Sequence, residues 1–157
     1  MPEEVSSEIS PNIRLMTASD LKPVMNIETI SFPDPWPRSA FEDSLGGEYH
    51  RVLIAEIEGE IAGYASYYIE LKEARLTNIA VAPQFRRKSI AKKLLEYILD
   101  VVKNAGCQHI FLDVRPGNRA AISLYLKYGF YEAYRRPDYY KNPNEDALVM
   151  VRDLTIR

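Results

Sequence analysis

The stretch of sequence that decides the fold is LTNIAVAPQFRRKSIAKKLLEYILDVVKNA, residues 76–105. Its β-branched start predicts a strand over 76–81, and Pro83 marks a loop at 82–85. Beyond the basic triplet at 86–88, apolar residues recur at the spacing that places them on one face of a helix. The members of that face are Ile90, Leu94, Leu95, Ile98, Val101, Val102 and Ala105. We therefore predict a strand, a loop and a long amphipathic helix that packs against a sheet.

The basic triplet Arg86, Arg87 and Lys88 stands where this helix begins. Positive charge there faces the positive end of the helix dipole and the unpaired N–H groups of the first turn, which costs up to about 1 kcal/mol per charge. A bound phosphate would accept hydrogen bonds from those groups and screen the cations. The alternative is a solvated loop whose basic side chains extend into water. The strand, loop and helix context is typical of anion sites, and both interpretations stay open.

The flanking sequence predicts one α/β domain with a mixed, mostly antiparallel seven-stranded sheet and four flanking helices. Residues 1–12 are polar and acidic and are predicted to form a flexible tail, which leaves 13–157 as the domain. Thr17 and Asp20 have the spacing of a capping box that opens the first helix. The other strands are predicted at 13–16, 51–57, 61–71, 109–115, 130–136 and 146–154, and the other helices at 21–30, 38–44 and 119–128. The strands at 76–81 and 109–114 flank the long helix, so they should be parallel.

Composition excludes several classes of protein. The formal net charge of −2 gives no overall attraction to nucleic acid. A single cysteine, Cys107, cannot form an internal disulfide or a cysteine-rich zinc site. His50 and His109 lack metal-ligand spacing, so we expect no metal. Because no apolar run has the length of a membrane span or the pattern of a signal peptide, we expect a cytoplasmic protein without membrane association.

The segment VAPQFRRKSIA resembles the acyl-coenzyme A signature of the GNAT acetyltransferase superfamily, Q/R-x-x-G-x-G/A at the start of a helix. Arg86 takes the Q/R place, Ser89 the first glycine place and Ala91 the last. Glycine lets the backbone approach the pyrophosphate closely, whereas serine adds a Cβ but can cap the helix or donate its hydroxyl. The resemblance implies acetyl-coenzyme A (acetyl-CoA) as cosubstrate. Its pyrophosphate would lie on Arg86, Arg87, Lys88, Ser89, Ile90 and Ala91, and its pantetheine arm along the backbone of Ile79, Ala80 and Val81.

A second segment, LDVRPGNRAAISLYLKYGF, resembles the later motif of the same superfamily, L-x-V followed by an asparagine and A-x-x-L-Y-x-x-x-G-F. Within it, Asn118, Tyr125 and Phe130 fall in register. The whole pattern is most similar to ribosomal-protein-alanine N-acetyltransferases and archaeal N-terminal acetyltransferases. The resemblance implies that the two parallel strands part to admit acetyl-CoA and that Asn118 hydrogen-bonds the pantetheine. The alternative for Asn118 is that its side chain binds its own turn backbone.

Acetyl transfer to an amine needs a neutral amine, a polarised carbonyl and a proton for the departing thiolate. An α-amino group has a pKa of about 7.7 to 8.0 and lysine one of about 10.4, so a weak base suffices for an N-terminus. The resemblance places the base at Asp113, where the superfamily has glutamate or histidine, and a water could bridge the shorter aspartate to the amine. The alternative is a strand-end carboxylate paired with Arg115 or Arg119. Glu28 and Asp34 are rival bases, or else solvated helix and turn residues.

Tyr125 is the candidate acid, because in the superfamily this tyrosine points at the cofactor sulfur. A phenol of pKa about 10 can protonate a thiolate whose conjugate acid lies near about 8.5. The alternative is a tyrosine that packs on the inner face of its helix with Ala121, Ile122 and Leu126. Lys127 is a candidate contact for the outer phosphate of the cofactor or, alternatively, an exposed helix lysine.

The segment SFPDPWPRSAF has three prolines in five residues. It is either a connection between helices whose Phe32 and Trp36 fill the core or a rigid wall beside a pocket. The resemblance implies that Phe32 and Pro33 contact the first residues of a peptide substrate. It also implies that Tyr139 and Tyr140, in a predicted loop at 137–145, line the other side of the peptide groove. The alternative for this pair is an exposed aromatic loop or a dimer contact.

These observations favour an N-terminal protein acetyltransferase that uses acetyl-CoA. Its partners would be protein or peptide N-termini, with ribosomal proteins among the candidates, and the protein would be a monomer or a weak homodimer. Three alternatives stay open. The domain could acetylate lysine side chains or small amines, bind coenzyme A as a sensor without catalysis, or use the basic triplet with Arg135 and Arg136 on nucleic acid.

Overall fold

A computed structural model describes residues 10–47 and 49–155, and within them the chain forms seven strands and four α-helices. The strands are β1 (Asn12–Leu15), β2 (His50–Ile57), β3 (Glu60–Glu70), β4 (Glu73–Val81), β5 (His109–Val114), β6 (Tyr131–Tyr140) and β7 (Glu145–Asp153). The helices are α1 (Leu21–Ser31), α2 (Arg38–Glu42), α3 (Ile90–Asn104) and α4 (Arg119–Lys127). This confirms the predicted α/β fold class. Residues 1–9 of the predicted tail lie outside the described residues.

The seven strands form one sheet in the order β1-β2-β3-β4-β5-β7-β6. All neighbours are antiparallel except β4 and β5, which α3 connects as a crossover. The parallel pairing ends at Leu76 and Leu112, although β4 continues to Val81 and β5 to Val114. The parallel strands therefore part toward their carboxyl ends, as predicted, and the gap opens where α3 begins.

Hydrophobic packing on both faces of the sheet holds these strands in place. Residues of α3 pack on one face and residues of α1 and α2 on the other, in two buried clusters. Burying each large aliphatic side chain contributes roughly 1.5–3 kcal/mol. The buried residues of α3 are Ile90, Leu94, Leu95, Ile98, Leu99 and Val102. The predicted face was wrong at Ala105, which is exposed because α3 ends at Asn104 before the turn at Gly106.

Two local features place α1 and α4. The predicted capping box is present: the backbone N–H of Thr17 donates to Asp20 Oδ2 at 2.7 Å, just before α1. In α4 the side chain that is buried is Tyr125. Leu126, predicted on the same face, is 55% exposed because it lies one residue, or about 100°, further round the helix.

The prediction that Tyr139 and Tyr140 lie in a loop was wrong. Strand β6 extends through both tyrosines, Tyr140 pairs with Glu145, and the connection to β7 is only residues 141–144. Pro137 inside β6 suggested a break. It is tolerated because β6 is an edge strand and the register shifts between Arg136 and Tyr140.

Candidate functional site

A cleft of about 360 Å³ opens beside the start of α3. It is lined by Val81, Phe85, Arg86, Arg87, Ser89, Ile90, Ala91, Lys92 and Leu124. Most of the residues predicted to bind the pyrophosphate therefore meet in one place. Lys88 does not line this cleft, whereas Lys92, one helical turn further on, does. The cations and the helix N-terminus together form a surface suited to an anion.

The backbone at this cleft takes the conformation that glycine adopts most easily. Ser89 has φ 64° and Arg87 has φ 65°, in the left-handed region that costs an ordinary residue roughly 1 kcal/mol. Ser89 precedes α3 but forms no side-chain capping hydrogen bond. The predicted capping role of this serine is therefore absent, and first-turn N–H groups of α3 are left for a ligand.

The end of β4 faces the gap in the sheet without a strand partner on that side, and Arg86 Nε donates to the carbonyl oxygen of Val81 there at 3.2 Å. On one side, Ile79, Ala80 and Val81 pair with β3, while the parallel partner on the other side ends opposite Leu76. Backbone N–H and C=O groups at this edge can hydrogen-bond an extended amide chain such as a pantetheine arm. Gly63 of β3 makes this edge possible, because a Cβ there would lie 2.7 Å from the carbonyl oxygen of Ala80. Sequence reasoning missed Gly63, which looks like an ordinary strand glycine.

Asn118 and Lys127 lie at opposite ends of α4. Asn118 precedes the helix, and its Oδ1 accepts a hydrogen bond from the backbone N–H of Ala121 at 3.2 Å. The carbonyl oxygen of the side chain thus binds local backbone, and its NH₂ group is the part that can donate to a ligand. Lys127 is exposed in the last turn.

Asp113 lies near the end of β5, and its side chain is only 17% exposed. Arg75 Nη1 of β4 donates to Asp113 Oδ1 at 3.1 Å, and the Arg75 guanidinium also lies 5.7 Å from the centre of the Phe111 ring. The alternative interpretation expected Asp113 to pair with Arg115 or Arg119. The structure instead pairs it with Arg75. Sequence reasoning missed Arg75 because only the parallel register, which pairs Arg75 with Phe111, brings it beside Asp113.

Two tyrosines near the gap keep their protons at neutral pH. Burial raises the pKa of Tyr125 well above its usual range, and the nearby Tyr140 raises it further. The pKa of Tyr140 is also raised, first by burial and then by the negative charge of Asp113. A tyrosine hydroxyl in this state can donate a hydrogen bond to an anion.

Arg115 fixes the β6–β7 connection. Its guanidinium donates to the carbonyl oxygens of Lys141 and Pro143 at 2.7 and 2.9 Å, and it lies 4.4 Å from the centre of the Tyr140 ring. Glu145 accepts a further hydrogen bond from Arg115 at 3.2 Å. This arginine therefore orients the tyrosine pair, a role that sequence reasoning did not assign to it.

The α1–α2 connection contacts the β6–β7 connection. Phe32 and Trp36 are half-buried and pack against the cluster on the α1 face, whereas Pro33 is exposed. Asp34 is exposed, and its Oδ1 accepts a hydrogen bond from Asn142 Nδ2 at 3.2 Å. Two connections separated by more than a hundred residues are thus joined directly. The expectation that Glu28 is solvated was wrong, because this residue is 1% exposed.

Across residues 10–47 and 49–155, no group of three or more histidine, cysteine, aspartate or glutamate side chains could hold a metal ion. None of the helices described there is long and apolar enough to cross a membrane.

The parallel strands part beside a helix N-terminus that carries cations, as expected for an acyltransferase that uses an acyl-coenzyme A. The comparisons with known proteins agree with this class. The model of the Acetyltransferase (GNAT) family matches residues 21–130, and the chain belongs to this family. It is therefore a GNAT acetyltransferase, and the family uses acetyl-CoA.

The chain is similar to the [ribosomal protein bS18]-alanine N-acetyltransferase of Escherichia coli strain K12, with 33% identity over 92% of this chain and 98% of that protein. It is also 30% identical to an N-alpha-acetyltransferase of Sulfolobus acidocaldarius, over 97% of this chain and 98% of that one. The crystal structure of the E. coli ribosomal-protein-S18-alanine N-acetyltransferase matches with a TM-score of 0.86, covering 94% of this chain and 96% of that chain at 32% identity.

Proposed function

We propose that this enzyme transfers the acetyl group of acetyl-CoA to the α-amino group of a protein or peptide N-terminus. The observation that carries the proposal is the hydrogen bond between Asp34 and Asn142, which joins the α1–α2 connection to the β6–β7 connection. In this proposal the end of a peptide chain threads beneath that bond. A lysine in the middle of a chain is followed and preceded by other residues, and the bond would obstruct these flanking residues.

The named activities of the two curated relatives support the same substrate class. Phe32 and Pro33 would contact the first residues of the peptide from one wall, and Tyr139 and Tyr140 from the other. A ribosomal protein is a candidate target by analogy with the E. coli enzyme.

On the cofactor side, residues 86–91 would hold the pyrophosphate of acetyl-CoA, and the backbone of Ile79, Ala80 and Val81 would pair with its pantetheine. Asn118 would donate its NH₂ group to the pantetheine, and Lys127 would reach the outer phosphate. The cleft lined by cations and the edge of β4 that lacks a strand partner support this arrangement.

In the chemical step, the amine nitrogen forms a bond to the thioester carbonyl carbon and the carbon–sulfur bond breaks. Asp113 takes the proton of the amine, directly or through one water, and Tyr125 gives a proton to the sulfur. Because Arg75 binds Oδ1 of Asp113, Oδ2 is the oxygen that would face the amine. Burial raises the pKa of Tyr125, which keeps its hydroxyl protonated and also makes it a weaker acid, so a hydrogen bond from this hydroxyl to the leaving sulfur would precede the proton transfer.

A thiol-release assay with acetyl-CoA and short peptides tests the proposal. One peptide set varies the first residue with a free N-terminus, and a matched set has a blocked N-terminus and a free lysine. We expect acetylation of the free N-termini alone. Asp113→Ala and Tyr125→Phe should each lower kcat by roughly 100-fold or more while acetyl-CoA still binds.

Equal rates on the blocked lysine peptides would contradict the N-terminal specificity. Cofactor binding without any acetyl transfer would instead favour a coenzyme A sensor. Full activity of Asp113→Ala would remove Asp113 as the base.

A further inference from the structure

Glu28 is a fully buried carboxylate at the centre of a hydrogen-bond network. It lies in α1, and its side chain accepts hydrogen bonds from donors on three separate elements. The backbone N–H of Trp36 donates to Oε2 at 2.8 Å, and Asn78 Nδ2 donates to Oε1 at 2.8 Å. The hydroxyl of Tyr64 also donates to Oε1.

These donors explain why a buried carboxylate is tolerated at this position. A carboxylate only accepts hydrogen bonds, and three donors converge on it, so its burial leaves none of them unsatisfied. The same contacts link the α1–α2 connection, through Trp36, to β4 at Asn78. Asn78 immediately precedes Ile79, so the network runs from the proposed peptide wall to the proposed pantetheine edge.

We infer that Glu28 is a positioning residue, which holds the α1–α2 connection in the conformation that binds the peptide. The inference rests on the proposed function for the identity of the peptide substrate. Glu28 is not the catalytic base, because a carboxylate that is 1% exposed and bound by three donors is closed to a substrate amine.

The substitution Glu28→Gln tests the network with little change in shape. A glutamine side chain has one acceptor oxygen and one NH₂ group. With the NH₂ group at the Oε2 place it faces the Trp36 N–H, and with the NH₂ group at the Oε1 place the Tyr64 hydroxyl must turn and the Asn78 amide must flip, so either orientation disturbs the network. Tyr64→Phe is a milder variant, which removes one donor and leaves the backbone bond of Trp36. The matched control is Asp20→Asn, because Asp20 is a buried carboxylate at the opposite end of α1, bound by Arg14 and Thr17.

Trp36 gives a readout that does not depend on acetyl transfer, since it is the single tryptophan of the protein. Its ring is half-buried between the rings of Phe41 and His50. The centres of both rings lie 5.6 Å from the centre of the Trp36 ring. We expect Glu28→Gln to shift the emission of Trp36 to the red and to raise its quenching by acrylamide about twofold. Tyr64→Phe should act in the same direction, while Asp20→Asn should leave both values unchanged even if it lowers Tm.

Steady-state kinetics then separates positioning from catalysis. For Glu28→Gln we expect the peptide KM to rise about tenfold, with the acetyl-CoA KM within about twofold of wild type. Tyr64→Phe should raise the peptide KM about threefold. A loss of kcat with an unchanged peptide KM would overturn the inference in favour of a catalytic Glu28.

Two other results would also overturn the inference: unchanged Trp36 fluorescence in both network variants, or an equal rise of the peptide KM in Asp20→Asn. If wild type acetylates no peptide, the proposed function fails, and the fluorescence measurement still decides whether Glu28 holds the connection.

Discussion

The two halves of the candidate site are built in different ways. The proposed cofactor half comes mainly from one stretch of sequence: the end of β4, the short loop and the start of α3 supply the cleft residues between Val81 and Lys92, and α4 adds Leu124. The peptide half is assembled from distant segments, because its contacts join Glu28 to Asn78, Arg75 to Asp113 and Asp34 to Asn142. The proposed cofactor half combines backbone groups with the cations of Arg86, Arg87 and Lys92, whereas the proposed peptide half relies on side-chain hydrogen bonds.

This difference predicts how each half responds to mutation. Backbone groups cannot be removed by substitution, so that part of the cofactor half is altered through residues that change the backbone path. Side-chain networks lose their contacts one residue at a time, and the partner left behind stays unpaired. Substitutions in the peptide half should therefore change the peptide KM or kcat, and substitutions in the cofactor half should change the acetyl-CoA KM.

The largest effect is expected at Arg75. Arg75→Gln removes the ion pair that orients Asp113, so the carboxylate can leave the position from which it would take the proton. We expect kcat to fall roughly 10- to 100-fold, and Arg75→Lys, which keeps the charge, to recover most of the loss.

The control for Arg75 is Arg38→Gln, which breaks an exposed ion pair with Glu42 far from Asp113 along the chain. It should leave kcat unchanged. Wild-type kcat in Arg75→Gln would show that Asp113 is held by other contacts or is not the base.

Gly63→Ala should have the next largest effect on the kinetics. It should change the acetyl-CoA KM and leave the peptide KM as in wild type. The added methyl group would lie 2.7 Å from the carbonyl oxygen of Ala80, so β4 must move where it would bind pantetheine. We expect the acetyl-CoA KM to rise about tenfold, and the free energy of unfolding to fall by roughly 1–3 kcal/mol.

The control for Gly63 is Gly47→Ala, whose added methyl group meets no atom closer than 3.6 Å. It should preserve the acetyl-CoA KM. A Gly63→Ala enzyme with a raised peptide KM and a normal acetyl-CoA KM would break the division between the two halves.

The same division explains what could be predicted from the sequence. The strand, loop and helix at 76–105 and the parallel direction of the two flanking strands follow from local patterns. The parting of these strands and the grouping of Arg86, Ser89 and Ala91 follow from the family resemblance, and the structure bears out both features. The ion pair of Arg75 with Asp113, the burial of Glu28 and the clamp by Arg115 depend on which strands become neighbours. Periodicity does not carry that information, because it gives the face of an element and not its partner.

Removing the hydrogen bond between Asp34 and Asn142 should have a smaller effect on the peptide KM, because this bond is exposed to solvent. A double-mutant cycle of Asp34→Ala and Asn142→Gly tests it, and glycine suits the φ of 51° at residue 142. We expect each single variant to raise the peptide KM about threefold and the coupling energy to be about 0.5–1 kcal/mol. Additive single effects would show that the bond does not act in peptide binding.

Ser89→Gly should give the smallest effect. Unlike the other substitutions, it should stabilise the protein and should not impair acetyl-CoA binding. Ser89 has φ 64°, which glycine adopts without strain, and its side chain forms no capping hydrogen bond that the substitution would remove. We expect the free energy of unfolding to rise by about 0.5–1 kcal/mol and the acetyl-CoA KM to fall no more than about threefold. Chemical denaturation and initial rates measure the two quantities.

Ser89→Ala is the matched control, since alanine lacks the hydroxyl but keeps the Cβ that strains this backbone. It should not stabilise the protein. If Ser89→Gly instead raises the acetyl-CoA KM and Ser89→Ala raises it equally, the hydroxyl itself binds the phosphate. This hydroxyl would then bind the phosphate together with the backbone groups and the cations. The two halves would differ mainly in how far apart in the sequence their contacting residues lie.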